Sequence, residues 1–317
     1  MKSIRTLFIT ITVLITVAIF TTQAAISYFS FSKITYDSVE NNLKIQAEKE
    51  AAILNSSLTG VGKAASGLAD TVASMSQIDD ATLFNIMRSQ IKKDPMICGG
   101  GFWMEPYFAN PTMKYYGPYV YNDNGNPVVT WDYNTDQYDY FQYDWYKNGI
   151  NAGDGVIFSE PYLDAVTNVT MITASASINR NGKVIGATTY DIGLKEMQDY
   201  VQNIKVGEKG YAFIITQQGY YWASKDEKKN LTQKISEDED TGIKDFGTKL
   251  MEDDATGIAN VDTGEAKDYM VYTPIGTTGL KLVTVMPEKE AVAAVGKVFT
   301  IYFAVFFISI ALFIVAF

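Results

Sequence analysis

The chain has 317 residues, 47% of them apolar and 20% charged, with 26 Lys and Arg against 36 Asp and Glu, a net charge of −10. It holds no histidine and one cysteine. That composition excludes a histidine general base, a histidine zinc site, the serine and cysteine triads and an intramolecular disulfide, and it leaves room for one large domain or two small ones.

Residues 7–29, LFITITVLITVAIFTTQAAISYF, carry no charge. At about 1.5 Å per residue the run is long enough to cross a hydrocarbon core of about 30 Å. Lys2 and Arg5 precede it and place residues 1–6 in the cytoplasm. A cleaved signal peptide with a small-residue site near 22–25 is the competing reading, but the apolar run outlasts the roughly 7–15 residues of such a leader's core.

Residues 30–78 are expected to continue as a stalk helix. Leu43, Ala47, Leu54, Leu58, Val61, Ala65, Leu68, Val72 and Met75 recur at helical steps that keep one face apolar. That face serves either a neighbouring domain or a second copy of the chain. Gly60, Gly62 and Gly67 mark a bend or a close approach. Asp79 and Asp80 then cap a helix carrying Leu83, Phe84, Met87 and Ile91, which Pro95 stops.

Beyond Pro95 the vocabulary changes to strands. Aromatic and β-branched runs lie at 98–104, 115–121 and 128–131, the last two flanking NDNGNP, a turn by composition. Strands at 171–178 and 183–191 form a hairpin in which Asn181-Gly182 supplies positive φ. A second strand group follows at 210–216, 220–224, 257–261, 267–273 and 280–286, with a helix over 240–252. Pro287 fits the first turn of a helix at 287–297, and 298–317 is a second uncharged apolar run. The fold class is α+β: a long N-terminal helix, then two antiparallel sheets in series, flanked by two transmembrane helices.

Two crossings put residues from about 33 to 297 outside the cytoplasm. Without Lys2 and Arg5 that region holds 24 basic and 36 acidic residues, a net −12. Such a surface disfavours nucleic acid and suits a cationic ligand. The acidic runs EDED at 237–240 and EDD at 252–254 lack the spacing and glycine of a calcium loop and read as solvated faces. The densest chemical signal is YDYFQYDWY at 138–146, six rings and two aspartates in nine residues. Rings interrupted by carboxylates suit an organic cation, through cation–π attraction and charge-assisted hydrogen bonds. From the residues alone Asp164 and Asp191 read first as caps, of a turn ahead of Thr167 and of the helix after Asp191, and Trp103 and Trp131 as core.

Four segments in order, the pair Trp145-Tyr146, SEPYLDAVT at 159–167, IGATTYDIGL at 185–194 and KGYAFIITQQG at 209–219, resemble the double Cache sensor domain of bacterial transmembrane chemoreceptors, the methyl-accepting chemotaxis proteins. The resemblance covers essentially the whole chain. It implies two PAS-like α/β lobes, a ligand-binding membrane-distal one at 79–204 and a membrane-proximal one at 205–286. It also implies a two-pass protein of the bacterial cytoplasmic membrane, a homodimer, no catalytic residues, no cofactor and no metal, with a cytoplasmic signalling module absent from this chain.

In members that bind amino acids, the resemblance implies a clamp in the distal lobe. Tyr138 and Trp145 take positions on the carboxylate side, and Tyr146, Asp164 and Asp191 take those that hold the ammonium. The arginine position, two before the tryptophan, is Tyr143 here, one neutral hydroxyl in place of a bidentate donor. With the ammonium end complete and the carboxylate end altered, the expected ligand is a small organic cation, a biogenic amine or polyamine. Asp139 and Asp144 are candidates for a second cationic end. The alternatives are an amino-acid sensor using Lys147 or backbone amides at the carboxylate, the sensor region of a membrane kinase or cyclase, a hydrolase using Asp144, Asp164 or Asp191, and a structural protein with an empty pocket.

Overall fold

The computed structural model describes residues 4–264 and 266–316. Helix α1 (Ile4–Ser74) is unbroken for 71 residues, roughly 107 Å at 1.5 Å per residue. Among the described residues it is the one helix long and apolar enough to cross a membrane. Helix α2 (Asp80–Lys93) is capped by Asp79, which accepts from the Thr82 backbone N–H at 3.2 Å and its hydroxyl at 2.7 Å.

The first sheet is built from β1 (Gly99–Met104), β2 (Tyr119–Asp123) and β3 (Asn126–Thr130), then, after α3 (Asp144–Ile150), from β4 (Val156–Phe158), β5 (Tyr162–Leu163), β6 (Thr170–Arg180) and β7 (Lys183–Gly193). Every pairing is antiparallel, in the order β3-β2-β1-β7-β6-β4, with β5 also on β6. The β6–β7 turn has φ of 55° at Asn181 and 80° at Gly182, the left-handed pair that a two-residue hairpin requires.

Helix α4 (Leu194–Gln202) leads directly from β7 to the second sheet. That sheet comprises β8 (Tyr211–Ile215), β9 (Tyr221–Ala223), β10 (Gly257–Asp262), β11 (Lys267–Pro274) and β12 (Lys281–Pro287), ordered β10-β11-β12-β8-β9, with α5 (Thr241–Glu252) inserted after β9. Asp240 caps α5 through the Ile243 N–H. Helices α6 (Glu288–Ala291) and α7 (Ala293–Ala316) close the chain, and α7 includes the shorter apolar stretch Thr300–Ser309. Phe306 meets Phe20 of α1 with ring centroids 5.9 Å apart.

Both sheets lean on α1. Its apolar stripe from Leu43 to Val72 is buried throughout, with Ala51 and Ala69 added, and it packs along β6 and β7 of the first sheet and β11 and β12 of the second. Each fully buried Leu or Val contributes about 1.5–3 kcal/mol, so the stripe serves intramolecular packing. The helix stops at Ser74, leaving Met75 half-buried beyond it. The cause is Arg180 at the end of β6, which donates to the carbonyls of Ala73 at 3.1 Å, Val72 at 3.1 Å and Met75 at 2.7 Å, satisfying acceptors that a helix end leaves open. Of the three stalk glycines, Gly62 makes a close approach, since a Cβ there would meet Val156 of β4 at 3.4 Å, whereas Gly60 and Gly67 face open space.

Two sequence expectations change, and three elements carry no sequence signal. Helix α3 and strands β4 and β5 are too short for any period to register. Trp131 is not core: it is 37% exposed and meets Tyr116 and Phe84 edge-on at 5.3 and 6.2 Å. EDED is not uniformly solvated, because Asp238 is buried, paired with Lys229 at 2.7 Å and bonded by the Tyr221 hydroxyl at 2.8 Å.

Candidate functional site

Strands β6 and β7 alternate their faces. On one face Ile172, Tyr190 and Ile192 join the core around α1, and the Thr188 hydroxyl donates to the Ala65 carbonyl at 2.7 Å. On the other, Met171, Thr189 and Asp191 line a small cavity under the loop and helix that follow β3, with Thr173 bonded beside them. Trp103 of β1 and Tyr119 of β2 close one flank, Tyr133, Tyr138 and Trp145 form the roof, and Tyr162 of β5 with Asp164 closes the other. The space enclosed is about 10 Å³, barely the room one water needs.

The run Gly99-Gly100-Gly101 makes this packing possible. A Cβ on Gly99 would collide with the Tyr119 hydroxyl, one on Gly100 with the ring of Tyr190 on the opposite face, and one on Gly101 with the indole of Trp103. Room at Gly99 lets Tyr119 reach Asp191, which pairs with Gly99 across β1 and β7.

The polar groups converge on two carboxylates. Asp191, 2% exposed, accepts from Tyr119 at 2.8 Å on Oδ2 and from Thr173 at 2.6 Å on Oδ1. Thr173 has one proton and gives it to Asp191, so the 2.8 Å contact between Tyr162 and Thr173 runs from the tyrosine. Asp164, 3% exposed, accepts on Oδ2 from Tyr133 at 2.8 Å, from the Thr167 N–H at 2.7 Å and from the Thr167 hydroxyl at 2.6 Å. Its Oδ1 has only a long bond from Tyr138 at 3.4 Å. No Lys or Arg lines the cavity, and neither carboxylate belongs to an ion pair among the described residues.

Burial sets the protonation. It raises the carboxyl of Asp191 to about 7, against the hydrogen bonds from Thr173 and Tyr119 and with help from the charge on Asp164. Burial, then the neighbouring carboxylate, pushes the hydroxyls of Tyr119 and Tyr133 well up, so both remain donors. One donor is unused: Trp145 Nε1 is buried near the Tyr138 hydroxyl without reaching hydrogen-bond geometry.

Of the seven expected site residues, the structure brings Tyr138, Trp145, Asp164 and Asp191 together. The other three lie outside the cavity wall. Tyr143 stacks on the outer face of the roof, 4.5 Å from Tyr138 and 12° from parallel. Asp144 is exposed in the first turn of α3, where its charge favours the helix. Tyr146 turns away because its hydroxyl donates to Glu105 at 2.7 Å and its ring packs between Tyr140 and Phe141. Asp139 has one buried, unpartnered oxygen and is not in the wall. Tyr119, Tyr133, Tyr162, Met171 and Thr189 line the cavity without a sequence signal of their own, and Trp103, expected as core, is core as well as wall. The glycine run was the available signal, because three successive residues without side chains imply that large ones occupy the space.

Comparison with known proteins follows the same outline. Residues 83–199 match the model for the first PDC sensor domain of methyl-accepting chemotaxis protein-like sequences, and residues 161–300 match the Cache 3/Cache 2 fusion domain. Methyl-accepting chemotaxis protein McpC of Bacillus subtilis is 32% identical over 154 residues, 47% of this chain and 21% of that protein. McpG of Pseudomonas putida is 33% identical over 84 residues, 26% of this chain and 13% of that protein. The matches thus span about a fifth or less of these relatives' length.

Among solved structures, the extracellular domain of a protein described as a histidine kinase, mmHK1S-Z3, aligns with a TM-score of 0.69 at 17% identity, over 84% of this chain and 98% of that one. The ligand-binding domain of the Pseudomonas fluorescens chemoreceptor CtaA, in complex with L-isoleucine, aligns with a TM-score of 0.62 at 16% identity, over 84% of this chain and 99% of that one. The GABA complex of the Pseudomonas aeruginosa amino-acid chemoreceptor PctC gives 0.54 at 18% identity, over 78% and 99%. Residues 83–300 are therefore matched end to end by PDC and Cache sensor-domain models, the kind of ligand-binding region found in methyl-accepting chemotaxis proteins.

Proposed function

We propose that this chain is the sensing region of a chemoreceptor, and that its first-sheet lobe binds a small organic cation, a biogenic amine or polyamine, between Asp164, Asp191 and the rings of Tyr138 and Trp145. One observation carries the reading: two carboxylates almost fully withdrawn from water share a cavity that no lysine or arginine lines. Like charges confined in this way are costly. An ammonium group relieves that cost, takes the open position on Asp164 Oδ1, and gains about 0.5–2 kcal/mol from each well-placed ring. Tyr143 then closes the roof from outside, Asp144, exposed on α3 beside Trp145, meets the second charge of a polyamine that extends past the roof, and Tyr146 backs the Trp145 ring, 6.1 Å away and nearly perpendicular.

The same reading takes residues from about 33 to 297 as extracytoplasmic between two membrane passes, with two chains side by side and a signalling module beyond them. A kinase or cyclase output is the alternative. No bond is made or broken; the ligand favours one arrangement of the membrane helices by as much as it binds that arrangement better.

A second reading, an amino acid as ligand, is favoured by the unused Trp145 Nε1 donor and by the ligands of CtaA and PctC. Thermal stabilisation of the full chain in detergent by leucine and isoamylamine, and by lysine and cadaverine, separates the two. The amines are expected to stabilise and their parent amino acids not, because an unpaired buried carboxylate is expensive. The reverse order sinks the cation reading, and no response to any of the four sinks both.

A further inference from the structure

The second sheet holds a larger opening than the first. Between β8, β9 and α5 lies a cavity of about 520 Å³ whose floor is Phe213, Tyr221, Ile243 and Met270. Beside it a space of about 420 Å³ opens toward the end of α4, lined by Val201, Gln202, Ile204 and Lys209. Tyr211 and Lys225 belong to both walls, so the two spaces adjoin.

Charge and rings are arranged here in the opposite sense from the first lobe. Three lysines, Lys209, Lys225 and Lys229, line the combined space against one acidic side chain, Asp226. Asp226 is engaged at the rim, where it accepts from the Lys228 N–H at 3.2 Å. Lys229 is held by buried Asp238 and lies over the Tyr221 ring at 5.4 Å. Lys225 lies over the Tyr211 ring at 5.9 Å and, like Lys209, belongs to no ion pair among the described residues. An apolar floor with free ammonium groups at the mouth recognises a molecule with an apolar body and one anionic end.

We propose that the second-sheet lobe carries its own ligand site, for a small organic carboxylate, with the carboxylate on Lys225, whose ammonium belongs to no ion pair among the described residues, and the apolar body against Phe213, Ile243 and Met270. The two sites lie at opposite ends of one helix: α4 starts three residues after Asp191 and ends at Gln202, in the wall of the second space. The proposal is independent of what the first lobe binds.

The test is calorimetric titration of the full chain in detergent with benzoate, phenylacetate and isovalerate, each against its neutral amide. The carboxylates are expected to bind with Kd of about 1 mM or tighter and the amides at least tenfold more weakly. Lys225→Ala, a change at an exposed position, is expected to weaken the carboxylates about tenfold. Ile243→Trp fills the floor and is expected to abolish binding, while Asp164→Asn in the first lobe leaves it unchanged. Acids and amides binding equally, no acid binding, or an acid lost in Asp164→Asn but kept in Lys225→Ala would each overturn the proposal.

Discussion

Replacing Asp191 with asparagine measures the charge stored in the first cavity. Burial lifts this carboxyl to about 7 from an ordinary 3.8. Between those values the folded protein keeps a proton that the unfolded chain has released. The stabilisation is therefore complete below about 3.8 and is lost as pH rises to about 7. Over about three pH units at about 1.36 kcal/mol each, the loss is bounded at on the order of 4 kcal/mol. Denaturant unfolding of the full chain in detergent, followed by tryptophan fluorescence at about pH 4 and about pH 8, supplies the comparison. The difference between wild type and Asp191→Asn cancels the other carboxylates: the asparagine variant loses less stability on raising the pH. The same proton competes with a cation, so amine affinity in wild type rises by up to about tenfold per pH unit and levels off above about 7. A variant with the slope of wild type refutes the assignment of the raised carboxyl to Asp191.

Gly99→Ala drives a methyl group into the Tyr119 hydroxyl and is expected to destabilise by about 1–3 kcal/mol. Combined with Tyr119→Phe it should cost less than the sum in a thermal double-mutant cycle, and strict additivity would remove Tyr119 as the obstacle. Arg180→Ala uncaps α1 and removes the guanidinium from three carbonyls, of which Val72 keeps the Met75 N–H, a loss of about 1–3 kcal/mol; faster protease cleavage within residues 75–79 reports it, and unchanged cleavage denies the capping role. Tyr143→Arg supplies a bidentate donor above the roof and is expected to raise the affinity of an amino acid relative to its decarboxylated amine by about tenfold or more. An unchanged ratio in paired titrations means that position 143 does not govern the carboxylate end.

The stalk was legible because one chemical demand, burial on one face, repeated over eight turns from Leu43 to Val72. The β6–β7 hairpin was legible because Asn181-Gly182 has few other uses. The two aspartates were reached through a family likeness; their own context, next to a turn and before a helix, fits capping as well. Tyr119, Tyr133 and Tyr162 were not reached, because a tyrosine's spacing does not say whether its hydroxyl meets water or a carboxylate 31 or 72 residues away. Tyr146 misled for the same reason, its partner Glu105 lying on a separate segment. Asp238 sat in an acidic run whose overall charge hid the one member that buries itself against Lys229.

The cavity of about 10 Å³ has room for about one water and is smaller than the amine proposed for it. Something must yield, and the two walls are not equally firm. The sheet wall is anchored from behind, with Thr188 bonded to Ala65 of α1 one residue from Thr189 in the cavity. Helix α3 is pinned at its far end, where Gly149 approaches Ala187 too closely for a side chain and its carbonyl accepts from Ser177 at 2.6 Å. Trp145 lies one turn before that anchor, and Tyr133 and Tyr138 lie on the irregular segment leading to it. A ligand entering as proposed would displace the roof, pivoting it near Gly149, rather than β6 and β7, whose opposite faces carry α1. Ligand volume on one side of β7 and helix position on the other are thus separated by a single layer of backbone.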